Sequence, residues 1–81
     1  MKHIFGKDFT ERLESLPQKT QEKFLKQLEF LLTDIRYPSL QAKKYSEASN
    51  IWQARVDRTY RFYFLIEDDT YILLDIRAHP K

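Results

Sequence analysis

The spacing of the apolar residues changes near residue 50, and that change limits the folds that this chain can adopt. Between Phe24 and Ile35 the apolar residues recur every three or four positions, as they do on one face of an amphipathic helix. From Ile51 onward the period is two, which is typical of β-strands in a layered domain. The sequence therefore predicts helices in its first half and a sheet in its second half, which is an α+β fold.

Two helices are expected ahead of residue 38. A short strand at Lys2–Phe5 precedes them, and the first helix begins with a cap at Asp8 or Thr10 and ends at Pro17. The second helix has the clearest periodicity in the chain and ends before Pro38. Its expected apolar positions are Phe24, Leu25, Leu28, Leu31, Leu32 and Ile35. The two segments predict an antiparallel helical hairpin.

Three strands are expected after a loop at 39–50. They span Ile51–Asp57, Thr59–Glu67 and Thr70–Ala78. The acidic cluster 67–69 lacks the spacing of cation ligands and indicates a hairpin turn, with Asp68 or Asp69 in a left-handed conformation. The predicted order is β-α-α-β-β-β, an antiparallel sheet with the helical hairpin packed on one face. At 81 residues, the chain 1–81 forms a single domain.

Composition excludes several classes of protein. The sequence contains no cysteine, so a disulfide, a cysteine-ligated zinc site and a thiol nucleophile are all excluded. A net charge of +2 does not by itself require a nucleic-acid partner. The longest apolar run, Phe62–Ile66, is far shorter than the ~20 residues of a membrane-spanning helix. The first five residues do not resemble a signal peptide, so we expect a cytoplasmic protein with no membrane partner.

Strand alternation predicts that one face of the sheet is open. The apolar set is expected beneath the helices: Trp52, Ala54, Val56, Tyr60, Phe62, Phe64, Ile66, Ile72, Leu74, Ile76 and Ala78. The open face is expected to hold Gln53, Arg55, Arg61, Tyr63, Leu65, Tyr71, Leu73, Asp75, Arg77 and His79. Arginines beside aromatic and histidine side chains are suited to gripping a phosphodiester backbone and stacking its bases.

A purely solvated face is the alternative interpretation of the same pattern. Open faces of antiparallel sheets are usually polar, and Asp75 is an obvious ion-pair partner for Arg61 or Arg55. Exposed tyrosine and leucine on that face favour a binding surface instead. His79 is either a general acid or base or a solvated tail residue, and Lys43 with Lys44 either contacts phosphate or forms a wet loop pair.

Three strand motifs and the helical hairpin together resemble a known family. The motifs are residues 51–56 (IWQARV), residues 60–64 (YRFYF) and residues 72–76 (ILLDI), followed by His79, and residues 41–44 (QAKK) also fit. In this order they resemble the RelE/ParE superfamily of bacterial toxins, over nearly the whole chain. The aromatic-x-x-Arg strand and the Tyr-Arg-aromatic strand are the most specific of these parts.

The resemblance implies a toxin of a type II toxin–antitoxin system, which acts in the bacterial cytoplasm and is neutralised by an antitoxin protein. One branch of the family cleaves mRNA in the ribosomal A site by attack of a ribose 2′-hydroxyl on the adjacent phosphate, without a metal or other cofactor. The other branch inhibits DNA gyrase and is not a nuclease. A non-catalytic protein-binding module of the same fold is a third possibility.

For the nuclease branch, the resemblance implies four catalytic positions: Arg55, Arg61, Arg77 and His79. Arg61 would hold the scissile phosphate with two hydrogen bonds, Arg55 and Arg77 would flank it, and His79 would exchange a proton. Expected RNA-binding residues are Lys43, Lys44, Gln53 and Tyr63, with Tyr63 as a base-stacking platform. The family pattern departs at Gln53, where a nuclease can have a basic residue, and this departure favours the gyrase alternative.

Overall fold

The computed structural model describes residues 1–79, and Pro80 and Lys81 lie outside the described residues. Its elements are strand β1 (Lys2–Phe5), helix α1 (Phe9–Glu14), helix α2 (Gln18–Thr33), a 3₁₀ turn (Pro38–Leu40), and strands β2 (Lys43–Ser46), β3 (Ile51–Arg55), β4 (Tyr60–Glu67) and β5 (Thr70–Ala78). Within residues 1–79, neither helix is long and apolar enough to cross a membrane.

The five strands form one sheet in the order β1-β5-β4-β3-β2. Strands β2 to β5 pair antiparallel, whereas β1 pairs parallel with β5, so the sheet is mixed. The α+β class and the helical hairpin on one face of the sheet are confirmed, but the prediction of a fully antiparallel sheet is wrong because β1 pairs parallel with β5. The sequence predicts a loop with at most one turn of helix at 39–50; the 3₁₀ turn is present, but β2 also lies there and forms the edge of the sheet beside β3.

Both helices bury their apolar sides against the sheet. Phe9 of α1 and Phe24 of α2 are fully buried, and the ring of Phe24 meets Phe62 of β4 edge-on at 5.2 Å between centroids. Leu25, an expected core position, is 51% exposed. Its neighbours Phe24 and Leu28 are buried against the sheet. The apolar face of α2 is wider than the surface that the sheet covers, so Leu25 at its border stays exposed to solvent.

Helix α2 also ends earlier than its apolar pattern does. The Asp34 backbone is extended (φ −164°), which places Ile35 beyond the helix. The Asp34 carboxylate accepts a hydrogen bond from the Arg36 backbone N–H at 2.9 Å, an Asx-type turn that competes with further helix. At the other end of the hairpin Asp8 does occupy the N-cap of α1, but its side chain makes no capping hydrogen bond to the described residues.

A one-residue bulge divides β5 into two halves that present opposite sets of side chains. Tyr63 pairs with Asp75, but the next residue of β4 pairs with Leu73, so Leu74 has no partner residue. Tyr71 (3% exposed) and Leu73 (0%) therefore lie in the core, and their predicted place on the open face is wrong. Ile72 and Leu74, predicted to lie beneath the helices, are only half-buried. After the bulge the predicted alternation holds.

Candidate functional site

Three arginines from three neighbouring strands stand directly beside one another on the open face. Arg55 of β3 pairs with Arg61 of β4, and Arg61 pairs with Arg77 of β5. The Cα atoms of paired residues on adjacent strands are about 5 Å apart. The Cα atoms of the three arginines therefore form a row about 10 Å long. Like charges in opposite positions are destabilising, which makes this arginine row unusual for a purely structural surface.

A polar pocket of about 190 Å³ opens at one end of the arginine row. Its lining residues are Gln41, Lys43, Gln53, Ala54, Arg55, Arg61 and His79. Five predicted site residues thus come together in one concave site, although they lie on different parts of the sheet. The cationic side chains of Lys43, Arg55 and Arg61 make the pocket suited to an anion.

Hydrogen bonds to the β3–β4 turn hold Arg61 in place. Its Nη1 donates to the backbone carbonyls of Asp57 at 2.6 Å and Tyr60 at 3.0 Å. All of these hydrogen bonds come from Nη1, and the Arg61 side chain also lines the pocket. His79 is brought to the same end of the sheet because its backbone N–H donates to Thr59 at 2.6 Å. The turn therefore positions both side chains.

Asp57 keeps this turn closed. Its Oδ1 accepts hydrogen bonds from the backbone N–H groups of Thr59 and Tyr60, both at 2.8 Å, and its Oδ2 lies 3.5 Å from the Lys23 ammonium. Partial burial acts to raise the pKa of Asp57, but the N–H donors of Tyr60 and Thr59, followed by Lys23, outweigh it, so the pKa is lowered. The carboxylate is therefore charged at neutral pH.

Two buried polar atoms on β3 lack partners within residues 1–79. They are Oε1 of Gln53 and Nε of Arg55, an acceptor and a donor on side chains that share the open face and line the pocket. Gln53 is only 8% exposed. A buried polar group without a partner costs stability, so these two atoms mark an energetically unfavourable part of the site.

Tyr63 lies beside the pocket beneath two other side chains. The Tyr45 ring meets it edge-on at 4.9 Å, and the Arg77 guanidinium lies over it at 4.8 Å from the ring centroid. Tyr63 is consequently only 4% exposed, whereas Tyr45 is 53% exposed. The side chain of Tyr63 is also the largest influence that raises the pKa of Arg77 above its ordinary value. The aromatic surface available for stacking here belongs to Tyr45.

Asp75 pairs with different arginines from those expected. Its carboxylate lies 3.2 Å from Arg12 of α1 and 3.8 Å from Arg77, rather than against Arg61 or Arg55. The bulge at Leu74 lies next to the edge of β5 where α1 packs, which brings Arg12 within reach. Asp75 therefore offsets part of the positive charge of Arg77. It forms no ion pair with Arg55 or Arg61, which line the pocket.

Lys44 points away from the pocket. Lys43 pairs with Gln53 on the open face, so alternation sends Lys44 to the other side of β2, where it pairs with Trp52. There its ammonium lies 5.3 Å from the Trp52 ring centroid and donates to Asn50 at 2.9 Å. The structure thus separates two lysines that the sequence places together.

Three residues near the site are not predicted as site residues from the sequence. Gln41 lines the pocket, Tyr45 covers Tyr63, and Arg12 reaches the site from α1. An isolated aromatic residue in the polar segment 39–50 is the one signal that points to Tyr45. Arg12 has no sequence signal, because its contact depends on the packing of α1 against β5.

Gln27 supports the site from behind. This buried residue of α2 donates from Nε2 to the Arg55 carbonyl at 2.8 Å and to the Ser39 carbonyl at 3.0 Å. Its Oε1 accepts from the Ser39 hydroxyl at 3.0 Å. The end of β3 is therefore fixed to α2 directly behind the arginine row. Among residues 1–79 no group of three His, Asp or Glu side chains is arranged to hold a metal ion.

Comparison with known proteins finds relatives in structure only. No family model matches the chain, and no curated protein matches it. It is similar to the YoeB/ParE toxin from Agrobacterium tumefaciens, with a TM-score of 0.82, 13% identity, and coverage of 99% of this chain and 100% of that one.

Two antitoxin–toxin complexes contain similar chains. One is RelB-RelE from Methanococcus jannaschii, with a TM-score of 0.75, 21% identity, and coverage of 93% of this chain and 88% of that one. The other is RelBE2 from Mycobacterium tuberculosis, with a TM-score of 0.76, 20% identity, and coverage of 96% of each chain. The fold that the resemblance implies is confirmed: this chain has the fold of the RelE/ParE toxins.

Proposed function

We propose that this protein is the toxin of a type II toxin–antitoxin system, and that it cleaves mRNA on the ribosome in the bacterial cytoplasm without a metal ion. The observation that supports this most strongly is the pocket in which Lys43, Arg55, Arg61 and His79 converge. The structural likeness to YoeB, ParE and RelE toxins supports the coarser part of the proposal.

The proposed reaction is the attack of a ribose 2′-hydroxyl on the adjacent phosphorus, which expels the 5′-oxygen of the next nucleotide. Negative charge accumulates on the phosphate oxygens as the new bond forms. Arg55 and Arg61 lie where they can stabilise that charge, and such preorganised donors each contribute about 100- to 1,000-fold in rate. His79 is the pocket side chain whose imidazole can exchange a proton with the 2′-hydroxyl or with the departing 5′-oxygen.

The hydrogen bonds of Arg61 give it a defined role in this mechanism. With Nη1 bound to the turn carbonyls, its Nε and Nη2 edge can bind two oxygens of one phosphate. Arg77 stands next in the arginine row, but it lies over the Tyr63 ring and does not line the pocket, so we assign it a flanking role. The exposed ring of Tyr45 offers a face on which a base can stack.

Inhibition of DNA gyrase is the second candidate, and Gln53 is the observation that favours it. A neutral amide at this pocket-lining position removes one proton carrier that a nuclease of this family can use. Under this alternative the arginine row would serve as a protein-binding surface. Loss of supercoiling activity when purified protein is added to gyrase would support this second candidate. A third candidate, a non-toxic binding module, would leave both bacterial growth and supercoiling unaffected.

A cognate antitoxin is the expected protein partner. Chains of similar structure are found in the RelB-RelE and RelBE2 antitoxin–toxin complexes. We expect an acidic or amphipathic segment of the antitoxin to cover Arg55 and Arg61, because uncompensated cations attract carboxylates. Such a segment would neutralise the toxin by filling the pocket.

Induced expression in a bacterial host tests the nuclease function. Wild-type protein should arrest growth and fragment translated mRNA, and Arg61→Ala should abolish both, with a loss of at least about 100-fold in cleavage. Arg58→Ala is the matched control, because Arg58 is an exposed arginine in the same turn that does not line the pocket. Circular dichroism of purified Arg61→Ala checks that the variant is folded. Full growth arrest with intact mRNA would refute the nuclease function.

A further inference from the structure

Strand β1 forms one outer edge of the sheet, and one side of its backbone has no neighbouring strand within residues 1–79. The N–H groups of Lys2 and Gly6 donate to carbonyls on the β5 side, at 2.9 and 2.7 Å. Successive residues of a strand direct their backbone groups to opposite edges, so the N–H and C=O groups of His3 and Phe5 point away from β5. These two residues can therefore hydrogen-bond to a further strand.

Exposed apolar side chains gather at the same edge of the sheet. Met1 is 52% exposed just before β1, Ile4 is 56% exposed within it, and Leu25 of α2 is 51% exposed. Leu25 lines an apolar groove of about 520 Å³ between α2 and β1, to which His3 and Leu32 also contribute. A concentration of exposed apolar surface beside unpaired backbone groups is characteristic of an interaction surface.

The side chains of β1 alternate in a way that makes the strand complementary to itself. The His3 ring lies 5.4 Å from the Phe5 ring, and Phe5 stacks on Phe9 of α1 at 5.3 Å, so His3 and Phe5 face the helices. Ile4, between them, faces the other side of the sheet. When β1 runs in the opposite direction, His3 and Phe5 exchange places around Ile4, and the same backbone groups still point outward.

We propose that β1 pairs antiparallel with β1 of a second copy of this chain, about a twofold axis at Ile4. His3 of each copy lies opposite Phe5 of the other, and each such pair exchanges both of its N–H···O hydrogen bonds. Ile4 lies opposite Ile4 of the second copy, with their Cα atoms about 4.5 Å apart. Lys2 lies opposite Gly6, so like charges do not meet. On the helix side, Leu25 turns toward the groove of the second copy.

A second copy is the occupant that this edge specifies, because it supplies the same apolar side chains and unpaired backbone groups in matching positions. The pocket with Arg55 and Arg61 is lined from β2, β3 and β4, toward the opposite edge of the sheet. Dimer formation therefore leaves both pockets open, and the inference does not depend on the proposed function. Because β1 has only four residues, the interface is small, and we expect a dissociation constant of about 1–100 μM.

Sedimentation equilibrium of the full chain tests dimer formation. The mass should rise from 9.9 kDa toward twice that value as the protein concentration increases. Ile4→Glu and Ile4→Lys each place like charges across the axis and should raise the dissociation constant at least about 100-fold. An equimolar mixture of these two variants places opposite charges there and should dimerise again. Tyr45→Lys is the matched control, because Tyr45 is 53% exposed on the other edge strand, and its dissociation constant should equal that of wild type.

Cysteine cross-linking tests the register, since the chain has no cysteine of its own. Ile4→Cys brings two thiols within disulfide distance across the axis. It should form the linked dimer at least about 10-fold faster than Tyr45→Cys at the same concentration, because pairing raises the effective concentration of the second thiol. Circular dichroism of each variant checks that it is folded.

Three results would overturn the inference. The first is a mass of 9.9 kDa at every concentration up to about 500 μM, which would leave the β1 edge to a strand of a different protein. The second is a dimer that survives both charged variants of Ile4, and the third is equal cross-linking of Ile4→Cys and Tyr45→Cys. None of these measurements involves RNA, so their failure would leave the proposed function intact.

Discussion

Gln27 allows a direct test of how the end of β3 is fixed to α2, because this one buried side chain hydrogen-bonds to both Ser39 and Arg55. Three hydrogen bonds join it to the Ser39 carbonyl, the Ser39 hydroxyl and the Arg55 carbonyl. A buried hydrogen bond contributes about 1 kcal/mol net, so Gln27→Met, which preserves length and volume, should lower the free energy of unfolding by about 3 kcal/mol. In a domain of this size that corresponds to a decrease of roughly 15 °C in melting temperature.

Two further variants divide this effect into parts. Ser39→Ala removes one of the three hydrogen bonds and should lower the free energy of unfolding by about 1 kcal/mol. Gln18→Met is the matched control, because Gln18 lies on the same helix with only a 3.5 Å surface contact to Glu22, and its effect should remain within about 0.5 kcal/mol. Urea denaturation followed by circular dichroism measures all three.

Gln27→Met should also reduce mRNA cleavage by more than its loss of stability explains. Gln27 holds the backbone of Arg55, so its loss allows the end of β3 to move relative to Arg61. We expect reduced mRNA cleavage by Gln27→Met even at temperatures where it is fully folded. A Gln27→Met protein as stable as Gln18→Met would show that Gln27 does not fix the end of β3 to α2, and would refute this role of Gln27.

Two other predictions concern the turn and the first strand. Replacing Asp57 by Asn should remove stability that is present above the unfolded pKa of about 3.9 and is lost as pH falls through the lowered folded pKa. The difference between wild type and variant in urea denaturation should therefore shrink from pH 6 to pH 3, and a constant difference would contradict the assignment. Gly6→Ala should destabilise by about 1–3 kcal/mol, because its Cβ would meet the Leu73 carbonyl oxygen at 2.7 Å. An unchanged melting temperature would show that β1 moves away without strain.

Periodicity predicts most of the fold because it is set by burial of side chains next to one another in sequence. The alternation of β3 and β4 places Gln53, Arg55 and Arg61 on the open face, as predicted, and their cross-strand pairing follows from short antiparallel connections. The hairpin after β4 is likewise found, with Asp68 in the left-handed conformation at φ 55°. Local sequence is sufficient for these features.

The bulge in β5 depends on contacts that local sequence does not contain. Both alternating sets of β5 are rich in apolar residues, so the pattern itself does not indicate which set faces the core. Strand β4 pairs with both halves of β5, in one register up to Leu73, where β1 also pairs with β5, and in another from Asp75 onward. A single extra residue, Leu74, reconciles them. Only the three-dimensional pairing reveals that Tyr71 is buried.

Strand β2 escapes prediction for a different reason. It has four residues, and its register with β3 shifts between Lys44 and Ser46, so too few positions alternate to establish a period. Its pairing with β3 is nevertheless what brings Lys43 to the pocket and Tyr45 over Tyr63. A short edge strand that is stabilised mainly by its neighbour has little sequence signal of its own.

The three members of the arginine row differ in how their charge is compensated, and the difference indicates where a ligand binds. Arg77 has Asp75 and the Tyr63 ring, and Arg61 has the carbonyls of the turn. Arg55 has a buried Nε without a partner within residues 1–79. Of the three arginines, Arg55 is therefore the one with a buried donor that residues 1–79 leave without an acceptor.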